Sequence, residues 1–338
     1  MYTIRDIARL ANVSTATVSA VMNQKGTVSD KLKRRVLDAM EALDYHPDQV
    51  ARSLKVRRTY TIGMVIADVA NPFFVKVLQG VEDEARRNRY SVIFCNSNED
   101  PEIESLHLDT LFARRVDGVL LSPTGALAAE ERLMKRRFPL VFFDRRPDGF
   151  SGPAVVTDNF GASREAAAHL IALGHKRIAI ITGRLDQSTG VERLEGFRQG
   201  VKEANLSLPT EYVQLGNFKL DSGYRRGLEL MGLRQPPTAI FVCNNQMTLG
   251  LLQALAELRI PCPQRVSVLG FDDFEWSTSF TPRLSMVAQP AAEMGRKATE
   301  ILIKAINGEM DTPVGGADNR VILPNSLVIR DSTVPPAA

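Results

Sequence analysis

From Thr61 onward the sequence alternates short, continuously apolar runs with longer amphipathic stretches, and this alternation limits the folds open to the chain. The runs cover residues 62–67, 92–95, 119–121, 141–143, 178–181, 240–243 and 266–271. Strands that are apolar on both faces are typical of a parallel sheet covered by helices on each side. About 100 residues make one such unit. The sequence therefore predicts an α/β body of two doubly wound, mostly parallel-sheet lobes with a cleft between them.

The lobe boundaries follow from where this alternation restarts. We expect the chain to leave lobe 1 near Asp158–Gly161, and the amphipathic segment Gln289–Gly308 to return to it as a helix. Lobe 1 is then predicted at about residues 60–158 and 289–319. Lobe 2 is predicted at about residues 159–288 and 320–338.

Residues 1–45 show three short helical patterns in place of strands. Thr3 and Asp6 have the spacing of a capping box, and apolar residues then recur at helical intervals up to Ala11. Ser14 is placed to cap a second helix, Thr15 to Met22, and Ser29 begins a third. The sequence predicts an all-α, three-helix head of the helix-turn-helix type.

The charge of the chain is concentrated in this head. Residues 1–60 hold 11 Lys and Arg against 6 Asp and Glu, whereas the rest of the chain holds 31 against 33. A basic segment on a nearly neutral body is typical of nucleic-acid binding. Residues 46–59, between the two, contain Pro47 and end in basic residues, which predicts a hinge helix that forms conditionally.

The reactive residue types lack the spacing that catalysis or metal binding needs. The cysteines Cys95, Cys243 and Cys262 form no CxxC pair, and the four histidines are isolated. The lobes carry no GxGxxG or GxxxxGK motif after a strand. The sequence predicts no enzyme activity, no cofactor and no metal site.

Two other protein classes share the two-lobed body. An exported sugar-binding protein would need an export signal, but the N-terminus is not basic and then apolar, and no apolar run reaches the roughly 20 residues of a membrane span. An enzyme with a Rossmann-type body would need the absent glycine motif. We therefore expect a cytoplasmic protein with no membrane contact.

Several motifs along the chain match one known family. Ile4–Ala8, Ala11–Ser14, Thr17–Ser19 and Val21–Asn23 resemble the head signature of LacI/GalR transcription regulators. Further resemblances to that family are Tyr45–Pro47, Ala51–Leu54, Asn71–Phe74, Gly174–His175, Arg193–Phe197 and Gly270–Asp273. The resemblance implies a ligand-responsive repressor of a carbohydrate operon, with residues 60–338 as the effector-binding and dimerisation domain.

The resemblance also implies how the chain contacts double-stranded operator DNA. Base-facing positions are Thr15, Ala16 and Ala20, and backbone-facing positions are Thr3, Ser14, Thr17, Ser19 and Asn23. In the family the leucine at Leu54 wedges into the minor groove, and Lys55 can reach the same groove. The base-facing side chains are small, so we expect modest direct readout. A homodimer on a pseudo-palindrome is expected, and 331–338 lacks the leucine heptad of tetrameric members.

Polar and aromatic residues at strand ends are candidates for the effector site, since ligands bind there in open α/β sheets. Candidates from position are Phe73, Phe74, Asp144, Arg145, Asp158, Arg193, Asn244, Asp272 and Gln289. The resemblance implies effector contacts for several of these and adds Phe218 as a stacking aromatic, with Gln187 and Thr189 as further candidates. Each could instead be a core aromatic, a helix cap or an ion-pair partner. The set suits a sugar or a sugar acid. Asn245 stands where the family commonly has Asp.

Overall fold

The computed structural model describes residues 2–22, 28–45, 58–125, 138–147, 152–310 and 319–337. The chain divides into two compact units, Met1–Thr59 and Tyr60–Ala338. Residues 46–57 of the predicted hinge (46–59) lie outside the described residues. Within the described ranges, no helix combines the length and apolar composition needed to cross a membrane.

The first unit contains three helices, as the sequence predicts: α1 (Ile4–Leu10), α2 (Thr15–Met22) and α3 (Asp30–Ala42). Ile7, Val18 and Val36, one from each helix, are fully buried at the centre. Arg35 joins α3 to the turn before α2, because its guanidinium donates to the Ala11 carbonyl oxygen at 2.6 Å and to the Asn12 carbonyl oxygen at 3.1 Å. The turn that orients α2 is thus held by a side chain from outside it.

Lobe 1 is built on a six-stranded, fully parallel sheet. Its strands are β1 (Thr61–Ile66), β2 (Ser91–Asn96), β3 (Gly118–Leu121), β4 (Leu140–Phe143), β5 (Ala154–Thr157) and β11 (Arg320–Leu323). Their order is β11-β5-β4-β3-β1-β2. The described helices of this lobe are α4 (Pro72–Arg87), α5 (Pro101–Ala113) and α10 (Ala291–Asn307).

Lobe 2 repeats this architecture, with one antiparallel edge. Its strands are β6 (Ile178–Thr182), β7 (Val213–Leu215), β8 (Ala239–Val242), β9 (Ser267–Phe271), β10 (Ser285–Ala288) and β12 (Ser326–Val328). The order is β12-β10-β9-β8-β6-β7, and β12 runs antiparallel to β10. Its helices are α6 (Asn159–Ala172), α7 (Ser188–Glu203), α8 (Leu220–Met231) and α9 (Asn245–Glu257). Two short 3₁₀ turns lie at Thr210–Tyr212 and Glu275–Thr278.

Helix α10 returns to lobe 1, as its amphipathic pattern predicts. Met294 and Ala298 are fully buried in the lobe 1 core. Glycines allow α10 to lie directly against α4: a Cβ added at Gly80 would be 2.0 Å from the Ala292 carbonyl oxygen, and one at Gly295 would be 2.1 Å from the Val77 carbonyl oxygen. Any larger side chain at either position would force the two helices apart.

The predicted boundary at 319/320 needs a correction, because β11 pairs with β5 and so residues 320–323 belong to lobe 1. This strand is short and half-exposed at the sheet edge, and its pattern lacks the continuous apolar run of a central strand. The chain therefore crosses between lobes three times, after β5, β10 and β11.

The three crossovers are hydrogen-bonded to one another. The Asp158 backbone N–H donates to the Leu323 carbonyl oxygen at 3.1 Å, and Asn325 Nδ2 donates to the Asp158 carbonyl oxygen at 3.0 Å. Thr157 Oγ1 donates to Gln289 Oε1 at 2.6 Å. These bonds join the three crossovers into one interlobe hinge.

Candidate ligand-binding cavity and nucleic-acid interface

The N-terminal end of α2 is the accessible part of the helix predicted to enter the major groove. Ser14, Thr15 and Ala16 are exposed, and Thr17, Ser19 and Ala20 are half-buried. Ser14 caps the helix as expected: its Oγ accepts from the Thr17 backbone N–H at 3.0 Å and lies 2.9 Å from Thr17 Oγ1. A helix end presenting small side chains and hydroxyls fits close against DNA.

Thr3 opens α1 through the predicted capping box. Its backbone N–H and its hydroxyl both donate to Asp6 Oδ2, at 2.9 and 2.7 Å. These bonds lower the pKa of Asp6, the hydroxyl of Thr3 contributing most. The other proposed DNA-contacting residues, Asn23, Leu54 and Lys55, lie outside the described residues.

A cavity lies between the two lobes, at the carboxyl ends of their strands. Ten of the predicted effector residues line it: Phe73, Phe74, Asp144, Arg145, Thr189, Arg193, Phe218, Asn244, Asp272 and Gln289. Residues far apart in the sequence thus converge on one space, as the strand-end rule predicts.

Two predicted residues lie elsewhere. Asp158 is exposed, is not among the residues lining this cavity, and caps α6 by accepting from the Gly161 backbone N–H at 2.7 Å. Gln187 is buried behind the wall, where its Nε2 donates to Glu99 Oε2 at 2.9 Å. Asp158 therefore belongs to the interlobe hinge, and Gln187 contacts the cavity wall through Glu99.

The cavity also contains three residues that the sequence reasoning did not name as candidates, Asp68, Asn71 and Glu99. Asp68 follows β1 closely, so the rule that found Asp144 could have found it. Asn71 Oδ1 caps α4 by accepting from Phe73 N at 2.9 Å, and it also accepts from Asn245 Nδ2 at 2.9 Å. The amide at 245 thus supplies a donor that the aspartate common in the family would lack.

Arg145 is held by acidic neighbours before any ligand is considered. Its two terminal nitrogens each donate to Glu99 at 2.8 Å, and its Nε lies 3.5 Å from Asp144 Oδ2. Its guanidinium carbon is also 5.2 Å from the centre of the Phe218 ring, which belongs to the other lobe. The charge of Arg145 is therefore already paired with acidic neighbours, and its side chain forms part of the cavity wall.

Arg193 is fixed by lobe 2 alone. Its Nε donates to Asn159 Oδ1 at 2.8 Å and its NH1 donates to the Cys243 carbonyl oxygen at 2.6 Å. The guanidinium carbon lies 3.7 Å from the centre of the Phe271 ring, a cation–π contact. Its remaining N–H groups can face a ligand in a fixed orientation.

Asn244 and Gln289 orient two other groups of the wall. Asn244 Oδ1 accepts from Met247 N at 2.9 Å, while its Nδ2 donates to the Phe218 carbonyl oxygen at 2.8 Å. Gln289 Nε2 donates to Asp272 Oδ1. Gln289 also accepts from Thr157 in the interlobe hinge, so it joins the cavity wall to the segments that connect the lobes.

Four residues of the cavity wall have left-handed backbones that β-carbon-bearing residues rarely adopt. Their φ angles are 63° at Glu99, 64° at Asp144, 64° at Phe218 and 73° at Asp272. Such a conformation costs an L-residue roughly 1–2 kcal/mol. Its recurrence around one cavity indicates that these side chains are oriented there at the cost of backbone strain.

The buried carboxyl groups have shifted pKa values. Burial raises the pKa of Asp144 to about 6, although the nearby charges of Arg145 and Arg193 act against this shift. Burial likewise raises the pKa of Asp272, opposed by Arg193 and by the bond from Gln289. For Glu99, burial alone would raise the pKa, but the charge and hydrogen bonds of Arg145 outweigh it and lower the pKa. Burial thus disfavours the ionised forms of Asp144 and Asp272, whereas Arg145 favours the ionised form of Glu99.

Aromatic rings face the cavity from both lobes, with Phe73 and Phe74 on one side and Phe218 on the other. Phe73 and Phe74 pack edge to face, with centroids 5.2 Å apart. The buried Thr189 hydroxyl has no hydrogen-bond partner among the described residues. The cavity can thus hold an apolar ring face and bond the hydroxyls on its edge. In the part of the chain that the structure describes, His, Cys, Asp and Glu side chains form no group of three or more that could hold a metal.

Comparisons with known proteins agree with both units. Residues 3–48 match the lacI family of bacterial regulatory proteins, and residues 167–333 match the periplasmic binding protein-like domain. The chain is 37% identical over 308 residues to the ribose operon repressor of Escherichia coli, covering 90% of this chain and 93% of that protein. It is 36% identical over 308 residues to the transcriptional repressor PurR of Mannheimia succiniciproducens, covering 90% and 92%.

Solved structures agree over nearly the full length. The crystal structure of the lac repressor dimer bound to operator and the anti-inducer ONPF matches with a TM-score of 0.86 and 27% identity, covering 98% of this chain and 99% of that one. The identities and coverage of the repressors, together with the head and the two-lobed body, establish the family. The chain belongs to the LacI family of bacterial regulatory proteins and is a DNA-binding transcription regulator, not an enzyme.

Proposed function

We propose that this chain is a cytoplasmic, sugar-responsive repressor that binds a pseudo-palindromic operator as a homodimer. The observation that carries the proposal is the cavity between the lobes, whose wall combines aromatic faces with carboxylate, amide and guanidinium groups. The exposed N-terminal end of α2 supplies the matching DNA-binding element. The named functions of the relatives support the same reading.

The chemistry of the cavity wall fits a monosaccharide. The C–H face of a sugar ring packs on Phe218 or on the Phe73–Phe74 pair, while its hydroxyls bond to Asp144, Arg193 and Asp272. Sugar hydroxyls both donate and accept, which suits a wall that offers carboxylates beside guanidinium groups.

The charges favour a neutral sugar over a sugar acid. Four carboxyl groups, from Asp68, Glu99, Asp144 and Asp272, line the cavity, against the guanidinium groups of Arg145 and Arg193. Glu99 already occupies both terminal nitrogens of Arg145. An anionic ligand would compete with Asp144 and Asp272 for Arg193, at close range and away from water.

DNA binding requires two copies, because one helix-turn-helix head reads only a few base pairs. A twofold dimer then matches a pseudo-palindromic operator. The lac repressor structure named above is such a dimer on its operator, which supports this assembly. Light scattering of the free protein tests it: a stable monomer at micromolar concentration would contradict the proposal.

A ligand panel tests the effector class. D-ribose is the first sugar to try because one relative is named for the ribose operon. Other pentoses, hexoses, the matching sugar acids and purines complete the panel, followed by thermal shift and calorimetry. We expect a neutral monosaccharide to bind, and its acid to bind more weakly. Binding of only acids or purines would overturn the sugar assignment.

A further inference from the structure

One lysine crosses the cleft at its rim. Lys219 Nζ, from lobe 2, donates to Asp68 Oδ2 at 2.7 Å and to Asn98 Oδ1 at 3.0 Å, both in lobe 1. Two neutral bonds cross nearby: Asn245 Nδ2 to Asn71 Oδ1 at 2.9 Å, and Gln246 Nε2 to the Ala70 carbonyl oxygen at 2.7 Å. At this rim the ion pair of Lys219 adds a charged contact to the neutral ones.

The backbone of Lys219 is fixed to its own lobe. It is the N-cap residue of α8. Its N–H donates to Asn217 Oδ1 at 3.0 Å, and its carbonyl oxygen accepts from Ser222 Oγ at 2.9 Å. The ammonium group therefore moves with lobe 2, and its bonds to lobe 1 exist only when the cleft is closed.

Each end of this contact adjoins the cavity wall. Phe218, whose ring lines the cavity, immediately precedes Lys219, and Glu99, which holds Arg145, immediately follows Asn98. Asn98 and the two flanking residues, Glu99 and Phe218, have left-handed backbones, with φ of 53°, 63° and 64°. The bonds of Lys219 thus join two strained loops that each present a side chain to the ligand.

We propose that Lys219 is a positioning residue for the effector: its bonds to Asp68 and Asn98 latch the lobes closed and hold Phe218 and Glu99 around the ligand. Lys219 is not among the residues lining the cavity, so it acts through its neighbours. This inference rests on the proposed function and names part of its closing mechanism.

The partial exposure of the latch sets the size of its effect. The Lys219 side chain is 31% exposed and that of Asp68 is 9% exposed. Partly solvated ion pairs contribute little, so loss of this one should weaken effector binding about three- to fivefold. Salt screens such a pair. The binding of an uncharged sugar should therefore weaken as salt rises, and removing Lys219 should reduce that dependence.

The first arm is calorimetry of the full-length protein with D-ribose at low and high salt. We expect Lys219→Met to lose about three- to fivefold affinity at low salt and to show a flatter salt profile, and Lys219→Arg to keep most of both. Lys297→Met is the control, because it breaks a more exposed lysine–carboxylate ion pair that lies within α10 and does not join the lobes. It should behave as wild type.

The second arm needs no sugar and keeps the inference testable if D-ribose is not the effector. Hydrogen exchange of the ligand-free protein should be faster around 68–71, 97–100 and 216–220 in Lys219→Met than in wild type or Lys297→Met. Unchanged exchange, or unchanged affinity and salt profile where the wild type binds D-ribose, would overturn the latch. A loss of about 100-fold would mean direct ligand contact and would also overturn it. Failure of the wild type to bind any sugar counts against the proposed function alone.

Discussion

The N-terminal end of α2, which we propose faces DNA, and the cavity between the lobes differ in how much of their recognition chemistry is already fixed by the protein. At α2, Thr15 and Ala16 are small and exposed, and Ser14 and Thr17 bond mainly to each other. In the cavity, Arg145, Arg193 and Asn244 are buried and oriented by partners from distant segments. Single changes should therefore have large effects in the cavity and small effects on the head, where binding is spread over many weak contacts.

The largest effect is expected from Arg193→Ala. The substitution removes one of the two arginines near Asp144 and Asp272, leaving Arg145. It also removes fixed donors from the ligand, at a cost of about 3–4 kcal/mol in effector binding, several hundred-fold. Calorimetry measures it. Arg198→Ala, an exposed position on the same helix, should bind effector normally. Near-normal effector binding by Arg193→Ala would refute the proposed role.

Asp144→Asn should change the stability of the fold and effector binding in opposite directions. Because burial raises the folded pKa of Asp144 to about 6, above its unfolded value, the ionised group destabilises the fold at neutral pH, and this cost disappears as pH falls through 6 towards 4. The neutral amide should raise the free energy of unfolding at pH 7 by up to about 3 kcal/mol while weakening effector binding.

Denaturant unfolding at pH 7 and pH 5 checks this prediction. The gap between Asp144→Asn and wild type should narrow at the lower pH. Wild-type effector affinity should also fall below pH 6, because a protonated Asp144 accepts hydroxyl donors less well. A pH-independent gap would show that the group is not buried in its charged form.

Gly183→Ala should alter the cavity by displacing the ring of Phe218. A Cβ at Gly183 would lie 1.9 Å from Phe218 Cζ, so the ring must move, at a cost of roughly 1–3 kcal/mol of overpacking. We expect effector affinity to drop about tenfold. In a Phe218→Ala background the same substitution should cost almost nothing, and a full cost there would show that the ring is not the cause.

The smallest effect is expected in the head. Thr15→Ala removes one small, exposed group and should weaken operator binding by less than about 1 kcal/mol, fivefold. The dependence of affinity on salt, about 0.9 in log–log slope per phosphate neutralised, should not change, because Thr15 carries no charge. Titrations at several salt concentrations measure both, and a loss above tenfold would mean that Thr15 reads a base strongly.

The contrast between the regions also explains what the sequence could predict. The head follows from local signals: the Thr3–Asp6 box, the Ser14 cap and the periodicity of α3 each act within a few residues. Central strands such as β1 and β9 follow from their apolar runs. Edge strands β7, β11 and β12 are short and half-exposed, and the apolar rule misses them. It also misses the buried strands β5 and β10, whose four residues each include a Thr or a Ser.

The sequence positions of many cavity residues could be predicted, but their hydrogen-bond partners could not. The strand-end rule found Asp144 and Asp272, yet it also selected Asp158, because a helix cap and a ligand contact have the same sequence position. Glu99 was missed since it lies three residues beyond β2, and only the left-handed turn at 98–99 directs it to Arg145. Bonds between segments more than 100 residues apart, such as Lys219–Asp68, leave no local signal.

We propose that ligand binding in the cavity changes the affinity of the head for its operator. The most direct test measures operator affinity with and without a saturating sugar from the panel, and sugar affinity with and without operator. Linkage requires the same factor in both directions, typically 1–3 kcal/mol or roughly 5–150-fold, and Arg193→Ala should abolish it while ligand-free operator binding stays near the wild-type level. A sugar that binds the cleft yet leaves operator affinity unchanged would contradict the account.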